Sequence, residues 1–188
     1  MTLTTLDPKT ALIVVDLQRG VVALPAAAHS METVIRNSAA LADAFRAHGL
    51  PVVLVNVSGA PAGRTERASA GGVRPEGWDI LIDELNQQAT DKLVTKRTRG
   101  AFTGTDLEQY LRANDVTQVV ITGVATGSGV ESTARHAHEL GFNVTISTDA
   151  MTDMNAEVHE NSVTRIFPGI GETGTTDEIL SLLAATRS

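Results

Sequence analysis

The amino-acid sequence contains no cysteine, and this absence excludes several kinds of chemistry. A chain without thiols has no disulfide framework and no cysteine-ligated zinc site. It also lacks the thiolate that serves as the nucleophile in cysteine-dependent hydrolysis. Any hydrolysis catalysed by this chain therefore needs another route.

A basic surface and long hydrophobic runs are also missing from the 188-residue chain. The formal net charge is −7 and the Lys and Arg residues are scattered, so neither nucleic acid nor an anionic membrane surface is predicted as a partner. The longest apolar runs have the length of a strand, and the N-terminus MTLTTLDPKT is polar rather than a hydrophobic signal region. We therefore expect a cytoplasmic protein, with no membrane segment, that acts on a small molecule.

Apolar runs alternate with helix-like spacing along the whole chain. The runs that predict strands cover residues 11–15, 51–57, 91–94, 119–121, 142–147 and 169–172. Such alternation predicts an α/β fold, specifically a three-layer α/β/α sandwich on a mainly parallel sheet of about six strands. No linker or break in composition divides the sequence, so residues 1–188 are predicted to form a single domain.

Capping residues predict where several helices begin and end. Ser30 is expected to begin a helix that stops at Gly49. Two segments of the type S/T-x-x-E predict further helix starts, at Thr105 with Glu108 and at Thr175 with Glu178. Other helices are expected within residues 130–140, from residue 155 onward and, as a short segment, from residue 78.

Two charged residues follow predicted strands. Asp16 closes the apolar run 11–15, and Lys96 lies just beyond the run 91–94. Because the carboxyl ends of parallel strands meet at one edge of a sheet, both side chains are candidates for the same crevice, with Gln18 within reach. Asp16 could instead be an ordinary turn former and Lys96 a solvated lysine. A lysine paired with a carboxylate in a crevice would have a functional signature.

The stretch VVITGVATGSGVESTARHAHELG, residues 119–141, predicts a strand, a tight turn and a helix. The first N–H groups of such a helix lack intrahelical partners and can bind an anion or an oxyanion. A nucleophile would be well supported at this turn, but the turn carries glycines. The hydroxyls of Thr126, Ser128 and Ser132 are nearby, yet the histidines at 136 and 138 lie about two turns from residue 129.

Further candidates for substrate contact lie in loops. Residues 58–77 form a long segment rich in Gly, Ala, Pro and Arg, of the kind that often makes a lid or binding loop. Its arginines, Arg64 among them, could bind a substrate carboxylate or could simply be solvated. Trp78 could close over a pocket or anchor the loop to the core, and Phe102 could form an apolar wall.

Three motifs carry a resemblance to a known family. ALIVVDLQRG, KRTRGAFTGTDLEQYLR and VVITGVATGSGVESTARHAHELGFNVTISTDA resemble, in the same order and over nearly the whole chain, the isochorismatase-like hydrolase superfamily. The resemblance implies a Rossmann-like fold and a triad of aspartate, lysine and cysteine at three strand ends. Asp16 and Lys96 match the first two, whereas Gly129 stands at the position of the cysteine.

The same resemblance implies a cis peptide bond between Val124 and Ala125, which helps to aim the N–H groups of Ala125 and Gly129 at an oxyanion. It also implies a homodimer or homotetramer. The metal-binding Asp/His cluster of nicotinamidases has no counterpart around residues 56–74, so no metal and no cofactor are expected.

Two functions remain open from the sequence. True isochorismatases also have glycine at the cysteine position, and their hydrolysis of a vinyl ether needs an acid rather than a nucleophile. By this resemblance Asp16 would be the general acid for a small anionic substrate, with Lys96 tuning it and the amides near Ser128 and Gly129 binding negative charge. The alternative is a catalytically inactive small-molecule-binding or scaffold protein that keeps the fold.

Overall fold

The described residues of the computed structural model, 3–66 and 74–186, form a six-stranded sheet in which all strands are parallel. The strands are β1 (Thr10–Val15), β2 (Val52–Val57), β3 (Lys92–Lys96), β4 (Gln118–Val124), β5 (Asn143–Thr152) and β6 (Glu172–Gly174). Their order across the sheet is β3-β2-β1-β4-β5-β6. The predicted parallel α/β architecture is thus confirmed.

Helices cover both faces of this sheet. Within the described residues the α-helices are α1 (Arg19–Val22), α2 (Met31–Ala47), α3 (Leu107–Ala113), α4 (Glu131–Glu139), α5 (Ala156–Asn161) and α6 (Thr176–Thr186). Helices α2 and α6 pack with one face of β1, and α3 and α4 pack with the other. None of the described helices has both the length and the apolar character needed to cross a bilayer.

Burial explains why the central strands are continuous apolar runs. Every residue of β1 and of β4 is buried, because helices lie on both faces of a parallel sheet. Alternate residues of β1 enter opposite cores: Leu12 joins the cluster that contains α2, and Ile13 joins the one that contains α4. Strand β3 lies at the edge, where Leu93 is half exposed.

The capping residues predicted for α2 and α6 are confirmed. Ser30 accepts a hydrogen bond from the N–H of Thr33 at 3.2 Å, and Gly49 follows the end of α2 with φ +65°, as predicted. Thr175 and Glu178 form the expected reciprocal capping box.

The capping box predicted at Thr105 was wrong. The Thr105 hydroxyl donates to the carbonyl of Ala101 at 2.6 Å, and its N–H lies 3.4 Å from the carbonyl of Phe102. The Thr105 oxygen also accepts the N–H of Leu107 at 3.4 Å rather than that of Glu108, so the box with Glu108 does not form, and α3 begins one residue later than predicted, at Leu107.

The short helix predicted from Trp78 was also wrong. This segment runs alongside the end of β1, because the N–H groups of Arg19 and Gly20 donate to the carbonyls of Ile80 and Trp78 at 2.9 and 2.8 Å. Leu81 then pairs with the chain near α1, and the one helical turn that follows is a 3₁₀ turn at Asp83–Leu85. Pairing between distant segments overrode the local helical spacing.

Strands β4 and β5 extend beyond their predicted ends. Their register shifts between Ile121 and Gly123, so that Gly123 pairs with Met151. Gly123 has φ +116°, and a Cβ atom there would lie 2.0 Å from the carbonyl oxygen of Val15. Only glycine fits so close to the β1 backbone. The close approach brings the ends of β1 and β4 together.

Candidate active site

The candidate site lies where the order of the strands reverses. From β1 the chain proceeds to β2 and β3 on one side, whereas β4, β5 and β6 lie on the other. The carboxyl ends of β1 and β4 therefore border the switch point of the sheet, which is where open α/β sheets usually bind ligands. Asp16 follows β1 directly, and the turn that carries Gly129 follows β4.

Asp16 and Lys96 form a buried ion pair across this edge. The Nζ of Lys96 donates to Oδ2 of Asp16 at 2.7 Å and to the carbonyl of Thr98 at 3.2 Å. Asp16 is 6 % exposed and Lys96 2 %. Asp16 also has φ +54°, an uncommon conformation for a residue other than glycine, which turns the chain sharply after β1.

Burial gives the carboxyl group of Asp16 unusual acid–base behaviour. Loss of hydration raises the pKa of Asp16 to about 6, although the charge and hydrogen bond of Lys96 pull it down. Oδ1 is buried and has no hydrogen-bond partner among the described residues. Oδ2, which accepts from Lys96, is the oxygen that lies on the side of Gly129. The effect of burial therefore exceeds that of the neighbouring ammonium group, and the pKa of Asp16 stays raised.

The turn after β4 has the backbone geometry implied by the resemblance. The peptide bond between Val124 and Ala125 is cis. A π-helical turn, Thr126–Val130, follows and leads directly into α4. The carbonyl of Ala125 accepts the N–H groups of Ser128 and Val130 at 3.0 and 3.2 Å.

Gly129 lies against the ion pair. A Cβ atom built on Gly129 would lie 3.3 Å from Oδ2 of Asp16 and 3.1 Å from a methyl group of Val15. A side chain here would therefore project toward the carboxyl group. The carbonyl oxygen of Val124 would lie 3.2 Å from the same Cβ atom, so glycine packs closely against the ends of β1 and β4 and against Asp16.

A cavity of about 260 Å³ opens over these groups. Asp16, Lys96, Ser128 and Gly129 contribute to its lining. The apolar part of the wall comes from Val21, Leu24, Val57, Pro61 and Met154. The volume lies just below the ~300–1,000 Å³ of pockets for drug-sized ligands, which suits a small metabolite.

A second cavity, of about 440 Å³, lies at the opposite edge, beside the amino ends of β4, β5 and β6. Its lining includes Asp7, His138 and Glu172, but neither Asp16 nor Lys96. Ligand sites of parallel α/β sheets lie at the carboxyl edge, so the smaller cavity is the candidate active site.

Several residues predicted to contact substrate lie elsewhere. Gln18 is fully buried, and its amide donates to the carbonyls of Val57 and Trp78 and accepts the N–H of Val57. Its hydrogen bonds thus fasten the end of β1 to β2 and to the Trp78 loop. Trp78 anchors that loop and does not line the site cavity.

Phe102 and the loop arginines require similar corrections. Phe102 is a core residue, stacked on Phe142 with 6.3 Å between ring centroids, because its segment turns toward α4. Arg64 is exposed and is absent from the cavity lining. Arg67 lies outside the described residues.

Arg99 lines the cavity and was missed from the sequence. Its Nη1 donates to the hydroxyl of Ser128 at 2.8 Å. Its position three residues after Lys96, just beyond the carboxyl end of β3, is a signal that could have identified it. The arginine of the cavity thus comes from the β3–α3 connection rather than from the long loop.

The turn after β4 is supported from behind by α5. Thr126 Oγ1 and Nδ1 of His159 are hydrogen-bonded at 2.8 Å, and Asp153 Oδ2 accepts the N–H of Gly127 at 2.9 Å. Burial lowers the pKa of His159, and the neighbouring His29 adds to this effect. The hydroxyl of Thr126 therefore does have a histidine, His159, as its hydrogen-bond partner. Thr126 is fully buried and does not line the cavity, so this pair holds the turn.

Among residues 3–66 and 74–186, no group of three or more His, Asp or Glu side chains is arranged to hold a metal ion. Glu131 and Arg135 pair at 2.9 Å along one face of α4, as expected of an i,i+4 pair.

The fold and the crevice define a Rossmann-like α/β protein with its candidate site at the switch point of the sheet. Residues 10–178 match the isochorismatase domain, and the chain therefore belongs to the isochorismatase family. Members of this family are hydrolases. The resemblance carried by the three sequence motifs is thus confirmed at the level of the family.

The chain is similar to family members along nearly its whole length. The isochorismatase family protein YecD of Escherichia coli O157:H7 is 40 % identical over 180 residues, which cover 93 % of this chain and 96 % of YecD. The isochorismatase family protein YwoC of Bacillus subtilis (strain 168) is 41 % identical over 179 residues, which cover 92 % of this chain and 93 % of YwoC. The structure of an isochorismatase family protein from Burkholderia thailandensis has a TM-score of 0.92 at 38 % identity. The match covers 96 % of this chain and 98 % of that protein.

Proposed function

We propose that this protein is a cysteine-independent hydrolase of a small anionic molecule in which Asp16 acts as the general acid. The observation that carries this proposal is the state of Asp16: its carboxyl group is buried beside the cavity, its pKa is raised to about 6, and Oδ1 has no partner among the described residues. A carboxyl group with a pKa near the working pH is suited to donate a proton.

The reaction that fits best is hydrolysis of a vinyl ether of the isochorismate type. Protonated Asp16 gives its proton to the terminal methylene carbon of an enolpyruvyl ether, which leaves an oxocarbenium ion. Water adds to this ion, and the hemiketal breaks down to pyruvate and an alcohol. Because the water loses a proton as it adds, the Asp16 carboxylate can take that proton and return to its acid form.

Lys96 has a defined part in this cycle. Its ammonium group, 2.7 Å from Oδ2, stabilises the carboxylate that forms when Asp16 gives up its proton. The same contact holds Asp16 in one orientation. We assign Lys96 as the group that tunes and orients the acid.

Gly129 supports this chemistry over covalent catalysis. A cysteine at this position would extend its side chain toward Asp16, whose Oδ2 lies 3.3 Å from the position of a Cβ atom. Since glycine has no side chain that reaches Asp16, we propose that the substrate or the attacking water approaches Asp16 from the cavity that both residues line. The N–H groups of Ala125 and Gly129 stay candidates for binding negative charge there.

The test is an assay of purified protein with isochorismate and simpler enol ethers, in which pyruvate release is measured. We expect turnover by the unchanged protein and by the control Asp43→Asn, which alters an exposed aspartate on α2. Turnover should be lost in Asp16→Asn. If the unchanged protein binds these ligands but releases no pyruvate, the alternative of a non-catalytic binding protein replaces this proposal.

We also propose that the enzyme works in the cytoplasm as a homodimer or homotetramer. Leu24 and Met154 support this, because both line the cavity mouth and remain more than two fifths exposed in the single chain. Light scattering coupled to size-exclusion chromatography measures the assembly directly. A strictly monomeric protein with full activity would contradict this part of the proposal.

A further inference from the structure

The cavity contains the side chains of Asp16, Lys96 and Arg99 within the described residues, and the first two are paired with each other. Asp16 and Lys96 form the buried pair, whereas Arg99 has no carboxylate partner among the described residues. Arg99 therefore provides an uncompensated positive charge in a protein whose formal net charge is −7. Such a local cation is what an anionic ligand needs to enter an acidic protein.

The guanidinium group of Arg99 is exposed at the cavity, contacts Ser128 and still has donors to spare. Nη1 donates to Ser128 Oγ at 2.8 Å, which uses one of its five N–H groups. The planar fork of arginine matches the two oxygens of a carboxylate and can bind both at once. The hydroxyl of Ser128 fixes one arm of the fork, so less side-chain freedom is lost when an anion binds.

The position of this pair sets the orientation of a ligand. Ser128 lies in the first turn of the continuous helical segment that runs from Thr126 to Glu139, and its neighbour Gly129 faces Asp16. A ligand whose anionic end lies at Arg99 therefore extends along the turn toward Asp16.

We propose that Arg99, positioned by Ser128, binds a carboxylate of the substrate and selects small carboxylates over neutral molecules of the same shape. This inference rests on the proposed function, because it assigns the group that holds the anionic end of the substrate in the same cavity. Arg99 is a binding residue in this assignment, and Ser128 is a positioning residue.

The test compares two probes that differ only in charge: 2-phenoxypropanoate, a saturated analogue of an enolpyruvyl ether, and its neutral amide, 2-phenoxypropanamide. Their dissociation constants are measured by calorimetry. For the unchanged protein we expect the carboxylate to bind at least about tenfold more tightly than the amide, as one charge-assisted contact predicts. In Arg99→Gln this ratio should fall close to one.

Matched variants separate charge recognition from general damage. Arg97→Gln changes an exposed arginine two residues away that is outside the cavity lining, and it should keep the full ratio. Arg99→Lys should keep part of it, because a lysine retains the charge but not the fork. Ser128→Ala should lower the ratio by about two- to fivefold, since Arg99 loses the hydrogen bond that positions it but keeps its charge. Thermal unfolding midpoints confirm that each variant is folded.

Two results would overturn the inference: an unchanged ratio in Arg99→Gln, or no binding of the carboxylate probe to the unchanged protein at millimolar concentration. Activity distinguishes this failure from that of the proposed function. If the protein releases pyruvate but Arg99→Gln leaves both the binding ratio and KM unchanged, only the role of Arg99 fails. If the binding ratio behaves as expected but no enol ether is hydrolysed, only the catalytic proposal fails.

Discussion

Two buried ion pairs of this protein differ in how completely their hydrogen bonds are satisfied. Arg46 of α2 binds both carboxylate oxygens of Asp91, through Nε at 3.0 Å and Nη2 at 2.8 Å, and the N–H of Gln88 also donates to Asp91. At the candidate site, Lys96 contacts one oxygen of Asp16 and the other has no partner among the described residues.

The difference shows what each pair is suited for. A bidentate pair with its oxygens satisfied holds α2 to the segment before β3 and keeps both charges. This agrees with the pKa of Arg46: burial lowers it, but the hydrogen bonds and charges of Asp91 and Asp43 together outweigh burial and raise it. The Asp16–Lys96 pair leaves an acidic group half satisfied, with a pKa raised by burial. An incompletely satisfied buried acid is costly for stability and useful for proton transfer.

The largest expected effect is on catalysis. Asp16→Asn removes the acid but keeps the size of the side chain, and it should lower kcat by roughly 10²- to 10⁴-fold, the usual contribution of a general acid. Asp91→Asn, which alters the other pair, should leave kcat within about twofold because it touches no group of the cavity. Steady-state pyruvate release measures both. Equal losses in the two variants would remove the functional distinction between the pairs.

Substitution of Asp91 is expected to lower the stability of the protein, although it leaves kcat almost unchanged. Asp91→Asn leaves the guanidinium of Arg46, which is only 12 % exposed, without its main partner. We expect the free energy of unfolding to fall by about 3 kcal/mol, the low end for a broken buried pair, since Arg46 keeps Asp43. Urea unfolding at pH 7.5 measures this. Asp106→Asn breaks an exposed pair with Lys92 and should cost less than about 1 kcal/mol.

The raised pKa of Asp16 predicts a specific dependence of stability on pH. The folded state binds this proton more tightly than the unfolded chain, so the stabilisation it contributes is complete below about pH 4 and is lost as the pH rises through about 6. The free energy of unfolding of the unchanged protein minus that of Asp16→Asn should therefore fall by up to about 3 kcal/mol between pH 4 and 7.5. A difference that does not change with pH would falsify the raised pKa.

The smallest effect on stability is expected when both members of the Asp16–Lys96 pair are replaced. Asp16→Leu with Lys96→Met puts apolar side chains of similar size in a buried position. We expect the doubly substituted protein to be inactive, with a free energy of unfolding within about 1 kcal/mol of that of the unchanged protein at pH 7.5, because the gain from removing a buried ion pair is offset by the strain of a leucine at φ +54°. Urea unfolding of this protein beside the unchanged one provides the measurement. A clear loss of stability would mean that the pair holds the structure together as Arg46 and Asp91 do.

Much of the fold was predictable because it depends on local patterns. Buried parallel strands need apolar residues on both faces, so the runs in β1, β2 and β4 were visible in the sequence. The placement of Asp16 and Lys96 at one edge followed from the parallel arrangement. Where backbone pairing came from distant segments, as for Leu81 beside Gln18, the local pattern predicted the wrong element.

The substrate contacts were less predictable, because the local sequence does not reveal in which direction a side chain points. Gln18 and Phe102 stand near the ends of strands, yet one is bonded to neighbouring backbone and the other packs in the core. Arg64 and Arg99 are both loop arginines in the sequence. Only the path of each loop separates the one outside the cavity from the one that lines it.

The sequence by itself determined the class of fold, the family, the absence of a thiol nucleophile and the presence of glycine at residue 129. The tertiary structure decided that Asp16 and Lys96, 80 residues apart, meet at 2.7 Å. It also decided that burial outweighs the lysine in setting the Asp16 pKa, and that Arg99 is the arginine of the cavity. The reason is physical: hydration, distance and hydrogen-bond satisfaction depend on which distant segments the sheet brings together, and local patterns do not contain that information.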